Sequence, residues 1–408
     1  MAVSHGERKG RYEAFNTIKR KCLCSQLWGH VFWGALNVII NASLIQLAQS
    51  LDRSLGEVAQ LISAKSLGTL LFLYLAGKWS DQYGRKPLVL LGSLCFLIFL
   101  LGFSWTTSFT GLLLLALLGG VGHGLMDAPS MSILFDLLAD KAGSALILVQ
   151  FFFSLGGMFV SFVVSHTVAA GLSYRWIYAL MLGFGLVYFL HVALSPLPAL
   201  RRSEESTPLP QKASQILATP AMMTVLAGIC LFAIYQYIML TWTPHFLQMN
   251  KGYQAAAALG AVAIYQMGGA LGSVAFSLVL CRIRAAQLAL MNTGLTLGLS
   301  LALLFLQQPL ALQLCLFLMG AIMSVYFSLC ISIGGELYPQ ATGLVSGAIA
   351  SFNVVTTLLA SLLISFLMEG KMAVTALFLL LVLILGILMG VSWKMWQIEH
   401  ALKDSISS

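Results

Sequence analysis

Twelve apolar stretches, each about long enough to cross a bilayer as a helix, constrain this chain more than any other feature. The hydrocarbon core is about 30 Å thick, so a helix rising about 1.5 Å per residue needs roughly 20 apolar residues to span it. Cutting the 408 residues at their polar breaks predicts spans at 26–49, 57–77, 88–105, 110–135, 143–168 and 176–196, then 219–242, 254–281, 286–306, 309–333, 341–367 and 372–393. Backbone in hydrocarbon must satisfy its own polar groups, so the expected fold is an all-α membrane protein. The longest polar interruption, 197–218, holds Pro198, Arg201, Arg202, Glu204, Glu205, Pro208, Pro210 and Lys212 and leaves six spans on either side. The expected organisation is a basic cytoplasmic N-terminal arm (1–25), a six-helix bundle (26–196), a cytoplasmic linker (197–218), a second six-helix bundle (219–393) and a cytoplasmic tail (394–408).

Charge then sets the orientation. Only 9% of residues are charged, against about a quarter in soluble domains. Of the 22 Lys and Arg residues, 17 fall on the side of the termini and four in the opposite loops (Arg53, Arg175, Lys251, Lys371). Lys65 falls inside a span. The positive-inside rule therefore predicts both termini in the cytoplasm and a bacterial inner membrane as the location. It also explains the net charge of +8 without nucleic acid as a partner. The bilayer is the expected partner, the arm lying near its headgroups or solvated as a free tail. No cleavable leader is expected ahead of the first span. Cys95, Cys230, Cys315 and Cys330 lie in apolar runs and read as core residues; nothing completes a metal site around Cys22 and Cys24. Short loops and the lack of a G-x-x-x-x-G-K-[ST] sequence argue against a nucleotide-driven pump in this chain, and no cofactor is expected. The intramembrane histidines lack H-E-x-x-H spacing, which argues against an embedded hydrolase; no enzyme is expected. Six spans repeated twice suit a secondary transporter with its site near the midplane.

Between the second and third spans the sequence runs Gly77-Lys-Trp-Ser-Asp81-Gln-Tyr-Gly84-Arg85-Lys86-Pro87. It resembles the G-x-x-x-D-x-x-G-R-[KR] loop signature of the major facilitator superfamily, in the loop and on the side where that family carries it. The resemblance implies a fold of two pseudo-symmetric six-helix bundles working by alternating access, usually as a monomer. It also implies a gate. Gly77 permits a close helix approach and Gly84 a turn with positive φ. Asp81 would accept from the N–H groups at the start of span eleven, near Ala341 to Gly343, and Arg85 would pair with Asp136 at the end of span four, with Lys86 beside it. The corresponding loop of the second half, Cys281-Arg-Ile-Arg284, keeps the charge but lacks the Asp and the Gly.

One acid stands inside a span: Asp127, in Gly122-His123-Gly124-Leu-Met-Asp127-Ala-Pro129. An Asp at mid-span costs about 2.5–3.5 kcal/mol on insertion scales, so it is expected to face a cavity and to bind a proton there, or to pair with a neighbouring span. His123 sits one turn earlier on the same face, as a cavity residue or a helix contact. Lys65 and Asp127 differ in height by about 10 Å, so a direct pair is not expected; Lys65 either faces the cavity or snorkels outward. Further candidates for a substrate and proton pathway are Asn37, Asn41, Gln150, Tyr235, Gln236, Trp242, Gln266, Tyr326 and Asn353. Each alone is more often interhelical glue; together they suit a small polar solute.

Gly124-Leu-Met-Asp127 followed by Leu146-Ile-Leu-Val-Gln150 is similar to the span four to five region of the fucose–proton symporter group, over about forty residues. Span one departs from that group, with Asn41-Ala42 where an Asn-Asp pair is usual, and span seven has Gln236 where related sugar transporters often carry Glu. The expectation is a secondary transporter of a small organic solute, coupled to protons and favouring import of a sugar-like or other small polar solute. The alternatives are a proton-driven efflux antiporter of drugs or metabolites, made less apt by the absence of a Gly-Pro pair in span five, and a non-transporting sensor, which would carry a longer tail than the 15 residues after Trp393.

Overall fold

The computed structural model describes the backbone of residues 5–137, 142–195, 213–279, 283–369 and 373–407. Fifteen α-helices and a short 3-10 turn occupy them, with no strand among the described residues. In chain order the helices are α1 (His5–Ala42), α2 (Leu44–Leu51), α3 (Leu55–Tyr83), α4 (Arg85–Trp105), α5 (Phe109–Leu137), α6 (Ala142–Ala169), α7 (Arg175–Leu194), α8 (Ala213–Leu217), α9 (Pro220–Lys251), α10 (Ala255–Val279), α11 (Ala285–Phe305), α12 (Pro309–Met323), α13 (Tyr326–Leu337), α14 (Thr342–Glu369) and α15 (Val374–Ser407). Among the described residues eleven helical stretches are apolar and long enough to cross a membrane. The second predicted span, α3, is not one of them: it carries Glu57, Lys65, Lys78 and Asp81, yet packs centrally against α5 and α14.

The helices repeat. Residues 200 apart occupy equivalent places: α4 and α11, α5 and the α12–α13 pair, and α6 and α14 share their first and last positions at that offset. Packing repeats too, α3 on α5 as α10 on α12, α1 on α6 as α9 on α14, and α4 on α7 as α11 on α15. The close crossings are glycine-built. A Cβ on Gly68 would lie 2.1 Å from the Leu117 carbonyl oxygen and one on Gly120 1.9 Å from that of Lys65. Their counterparts Gly268 and Gly320 would clash in the same way, 2.0 Å from the carbonyl oxygens of Phe317 and Tyr265. In a bilayer, where burial does not drive helices together, such backbone-to-backbone approach is what joins them.

Four predicted boundaries change. The first span and its arm are a single helix from His5, interrupted after Ala42, where the Ser43 hydroxyl donates to the Ile39 carbonyl at 2.7 Å and meets the Tyr178 hydroxyl at 2.9 Å. The seventh runs on to Lys251 past Pro244 and ends at Gly252, whose φ of 69° suits glycine. The tenth is broken at Ser324 and Val325, where Ser324 donates to the Ala321 carbonyl and Asn292 to that of Ile322, both at 2.8 Å, drawing acceptors out of the helix ladder. The twelfth continues through the predicted tail to Ser407. Polar 197–212, most of the predicted linker, lies outside the described residues.

The halves meet along α6 with α10 and α3 with α14. Call the side of the chain ends the terminal face and the other the distal face. Four hydrogen bonds join the halves on the distal side: Asn41 to Thr241 (2.6 Å), Ser63 with Ser361 (2.7 Å), Ser165 to the Ala256 carbonyl (2.7 Å) and Gln60 to Glu369 (3.2 Å).

Candidate functional site

Between the halves lies a cavity of about 240 Å³. Each half supplies its wall from equivalent positions, among them Trp33 and Ala233, Asn37 and Tyr237, Lys65 and Tyr265, Ser66 and Gln266, His123 and Met323, and Asp127 and Phe327. Every ionisable wall residue of the acid, lysine or histidine type belongs to the first half: His30, Lys65, His123 and Asp127.

Nine of the twelve residues singled out from the sequence line this cavity: Asn37, Asn41, Lys65, His123, Asp127, Gln150, Gln236, Gln266 and Asn353. The other three do not. Tyr235, Trp242 and Tyr326 are fully buried in the helix packing; Tyr326 stacks on Phe232 and its hydroxyl meets that of Ser392 at 2.9 Å. Periodicity is the reason. Each residue turns a helix by about 100°, so Tyr235 and Trp242 look away when Gln236 faces inward.

Lys65 turns toward α1 instead of snorkelling. Its ammonium donates to the Leu36 carbonyl at 2.8 Å and approaches the carbonyl and side-chain oxygens of Asn37 at 3.4 and 3.5 Å. The glycine at 120 lets α5 approach the Lys65 backbone closely enough to hold it there. Among the described residues no hydrogen bond or ion pair reaches the Asp127 carboxylate; Lys65 and Asp127 share the cavity without pairing. Pro129 stays inside α5 just beyond it. Gln266 crosses between the halves, and Gly157 makes way for it: a Cβ there would lie 2.0 Å from the Gln266 side-chain nitrogen.

The sequence reading missed His30 and Trp33. Both line the cavity with 1% and 4% exposure, and the Trp33 ring lies between those of His30 (5.4 Å) and His123 (5.1 Å, edge-on). The signal was present: His30, Trp33, Asn37 and Asn41 are spaced three, four and four apart, one stripe of a helix.

In the loop resembling the family signature, Gly84 has a φ of 91°, and α4 starts at Arg85. Lys86 donates to the carbonyls of Ala193 and Ser195 at 2.8 and 3.0 Å, closing the end of α7. Gly77 and Asp81 fall in α3 and Asp136 in α5, but their side-chain positions, and with them the expected contacts of Asp81 and Asp136, lie outside the described residues. In the second half the equivalent helices are joined by Glu399 of α15, whose carboxylate accepts from the backbone N–H of Ala286 at the start of α11, at 3.2 Å.

A family model described as Major Facilitator Superfamily matches residues 27–361. The chain is 25% identical over 342 residues to the uncharacterised MFS-type transporter YfkL of Bacillus subtilis (strain 168), covering 81% of this chain and 84% of that one. It is 24% identical over 361 residues to the inner membrane transport protein YdiN of Escherichia coli (strain K12), covering 84% and 83%. The fold is similar to the crystal structure of a D-xylose-proton symporter, with a TM-score of 0.73 at 17% identity over 92% of this chain and 96% of that one.

Proposed function

The chain belongs to the major facilitator superfamily of secondary transporters, and from that premise we propose that it imports a small polar solute coupled to protons, with Asp127 as the proton-binding group. That it is an integral membrane transporter of small solutes, and not an enzyme, follows from the family. One observation carries the finer reading: among the described residues a single unpaired carboxylate lines a central cavity whose distal side is bridged by hydrogen bonds between the halves. An acid in that position binds a proton when the cavity faces one side and gives it up when the cavity faces the other. The charge bias supports a terminal face in the cytoplasm of a bacterial inner membrane, an orientation in which a cavity bridged on its distal side is inward-facing.

The size of the site favours a small solute over a bulky amphipathic drug. About 240 Å³ is below the roughly 300–1,000 Å³ typical of sites for drug-sized ligands. The D-xylose-proton symporter that shares the fold is a proton-driven carrier by its own name.

Asp127→Asn in proteoliposomes tests the coupling. It is expected to abolish uphill accumulation driven by an imposed proton gradient while exchange down a solute gradient continues. Continued uphill accumulation by this variant would sink the proton role of Asp127.

A further inference from the structure

Adjacent glycines of α6 have different tasks. A Cβ on Gly156 would lie 1.9 Å from the Val31 carbonyl oxygen, backbone against backbone, where α1 crosses α6 within the first half. The three nearest atoms to a Cβ on Gly157 would all belong to side chains: the Gln266 nitrogen at 2.0 Å, its amide carbon at 3.0 Å and a Val38 methyl at 3.2 Å. Gly156 joins helices. Gly157 makes room for one side chain, and that side chain comes from the other half.

The seam between α6 and α10 does not itself require this notch. On either side of it small residues meet: a Cβ on Gly260 or Gly269 would lie 3.3 Å from the hydroxyl oxygens of Ser165 and Ser154. Between these contacts a long side chain enters. In the equivalent seam of α3 with α14, the positions of Gln266 and Gly157 are held by Ser66 and Thr357, so the bulk sits on the other helix. The shared backbone therefore accepts either arrangement. Gln266 itself lines the cavity. Among the described residues its amide makes no hydrogen bond, and unlike His30 Nε2 and Trp33 Nε1 its polar atoms are not sealed off. An amide of this kind offers both donors and an acceptor.

We infer that Gly157 and Gln266 are a specificity-determining pair, one from each half. The notch lets the Gln266 side chain lie back against α6, and the room so left sets the largest solute the cavity admits. The inference rests on the transport reading above only in taking this cavity as the solute's path; proton coupling and direction do not enter it. Gly157→Ala fills the notch. What it displaces is the far end of a flexible side chain, so Gln266 moves into the cavity while the helices stay together.

A reporter thiol on α3 across the cavity, Ser66→Cys with the exposed Cys24→Ser, reads this space in the full-length protein in detergent. Labelling rates are measured for methyl and benzyl methanethiosulfonate, above the background of the chain without the reporter. Gly157→Ala is expected to slow the benzyl reagent relative to the methyl one about tenfold, the discrimination a single methylene makes in a fitted pocket, with the protein still folded. Adding Gln266→Ala is expected to restore the benzyl rate, and Gln266→Ala alone to raise it above that of the parent. An unchanged benzyl-to-methyl ratio, a slowed rate that Gln266→Ala does not restore, or loss of the fold in Gly157→Ala overturns the inference. Labelling needs neither solute nor proton gradient, so this result stands or falls separately from the Asp127→Asn experiment.

Discussion

The two halves of this transporter have nearly one backbone and two different chemistries. Helix boundaries repeat at an offset of 200 residues, and so do the glycine crossings at Gly68 and Gly120 against Gly268 and Gly320. The side chains that face the cavity do not repeat: where the first half places Lys65, His123 and Asp127, the second places Tyr265, Met323 and Phe327. Helix-to-helix distance is set by backbone contact, which tolerates only the smallest residues, so both copies need glycine there. The cavity surface is free of that constraint. A charge in hydrocarbon is costly, so charged side chains are not multiplied without use. The first half carries the charged side chains of the wall, and the second lines it with rings, amides and hydroxyls.

The most severe test of the shared backbone is a methyl group at each crossing. Gly120→Ala and Gly320→Ala both drive a Cβ to about 2 Å from a carbonyl oxygen, and neither crossing can yield without separating helices. Each is expected to destabilise by 3 kcal/mol or more, about the upper range for overpacking, seen as loss of folded protein or a large fall in the thermal midpoint. A well-folded Gly320→Ala beside an unfolded Gly120→Ala would show that the second crossing is not equivalent.

Lys65 and Tyr265 sharpen the chemical difference. Lys65→Met removes the ammonium that fastens α3 to the Leu36 carbonyl, a charged hydrogen bond of about 1.5–3 kcal/mol, and is expected to cut initial uptake at least about tenfold. Tyr265→Phe, at the equivalent place, removes one neutral hydroxyl and is expected to cut it less than about threefold. Equal losses would mean that charge is not what distinguishes the halves.

The smallest effects are expected where the two halves reach one end by opposite means. On the terminal face, Lys86 of α4 binds carbonyls that end α7, whereas Glu399 of α15 binds an N–H that starts α11. The difference has a cause: α7 stops at Leu194 and exposes carbonyls, while α15 runs on to Ser407 and has none to offer at that level. Lys86→Met and Glu399→Gln are each expected to lower stability by about 1 kcal/mol, read as small shifts of the midpoint in the purified protein. A shift in one without the other would show that only one of these links bears on stability.

The architecture was legible because hydrocarbon thickness and backbone satisfaction leave few options. Twelve runs of adequate length and one polar interruption are enough to predict paired bundles. The site was legible in part. Asp127 stood out because an acid is expensive there, and Asn37 and Asn41 because they are polar in an apolar run. His30 and Trp33 share that stripe but fall near the predicted start of the first span, where an aromatic or a histidine is unremarkable. Tyr235, Trp242 and Tyr326 drew notice for their residue type, although period 3.6 turns the first two away from Gln236. The break at Ser324 has no Pro to announce it; it depends on Asn292, 32 residues earlier, reaching the Ile322 carbonyl.

The distal closure also bears on how fast the molecule can work. Three of its four hydrogen bonds join neutral groups, and each is worth about 0.5–1.5 kcal/mol net. A closure of that kind biases the population by several kcal/mol at most, a gap that a single small ligand can reverse by binding one state more tightly than the other. It also depends little on ionic strength, since neutral hydrogen bonds are not screened as ion pairs are. On the transport reading proposed above, a seal of hydroxyls and amides keeps the inward and outward states near enough in free energy for a bound solute and one proton to decide between them.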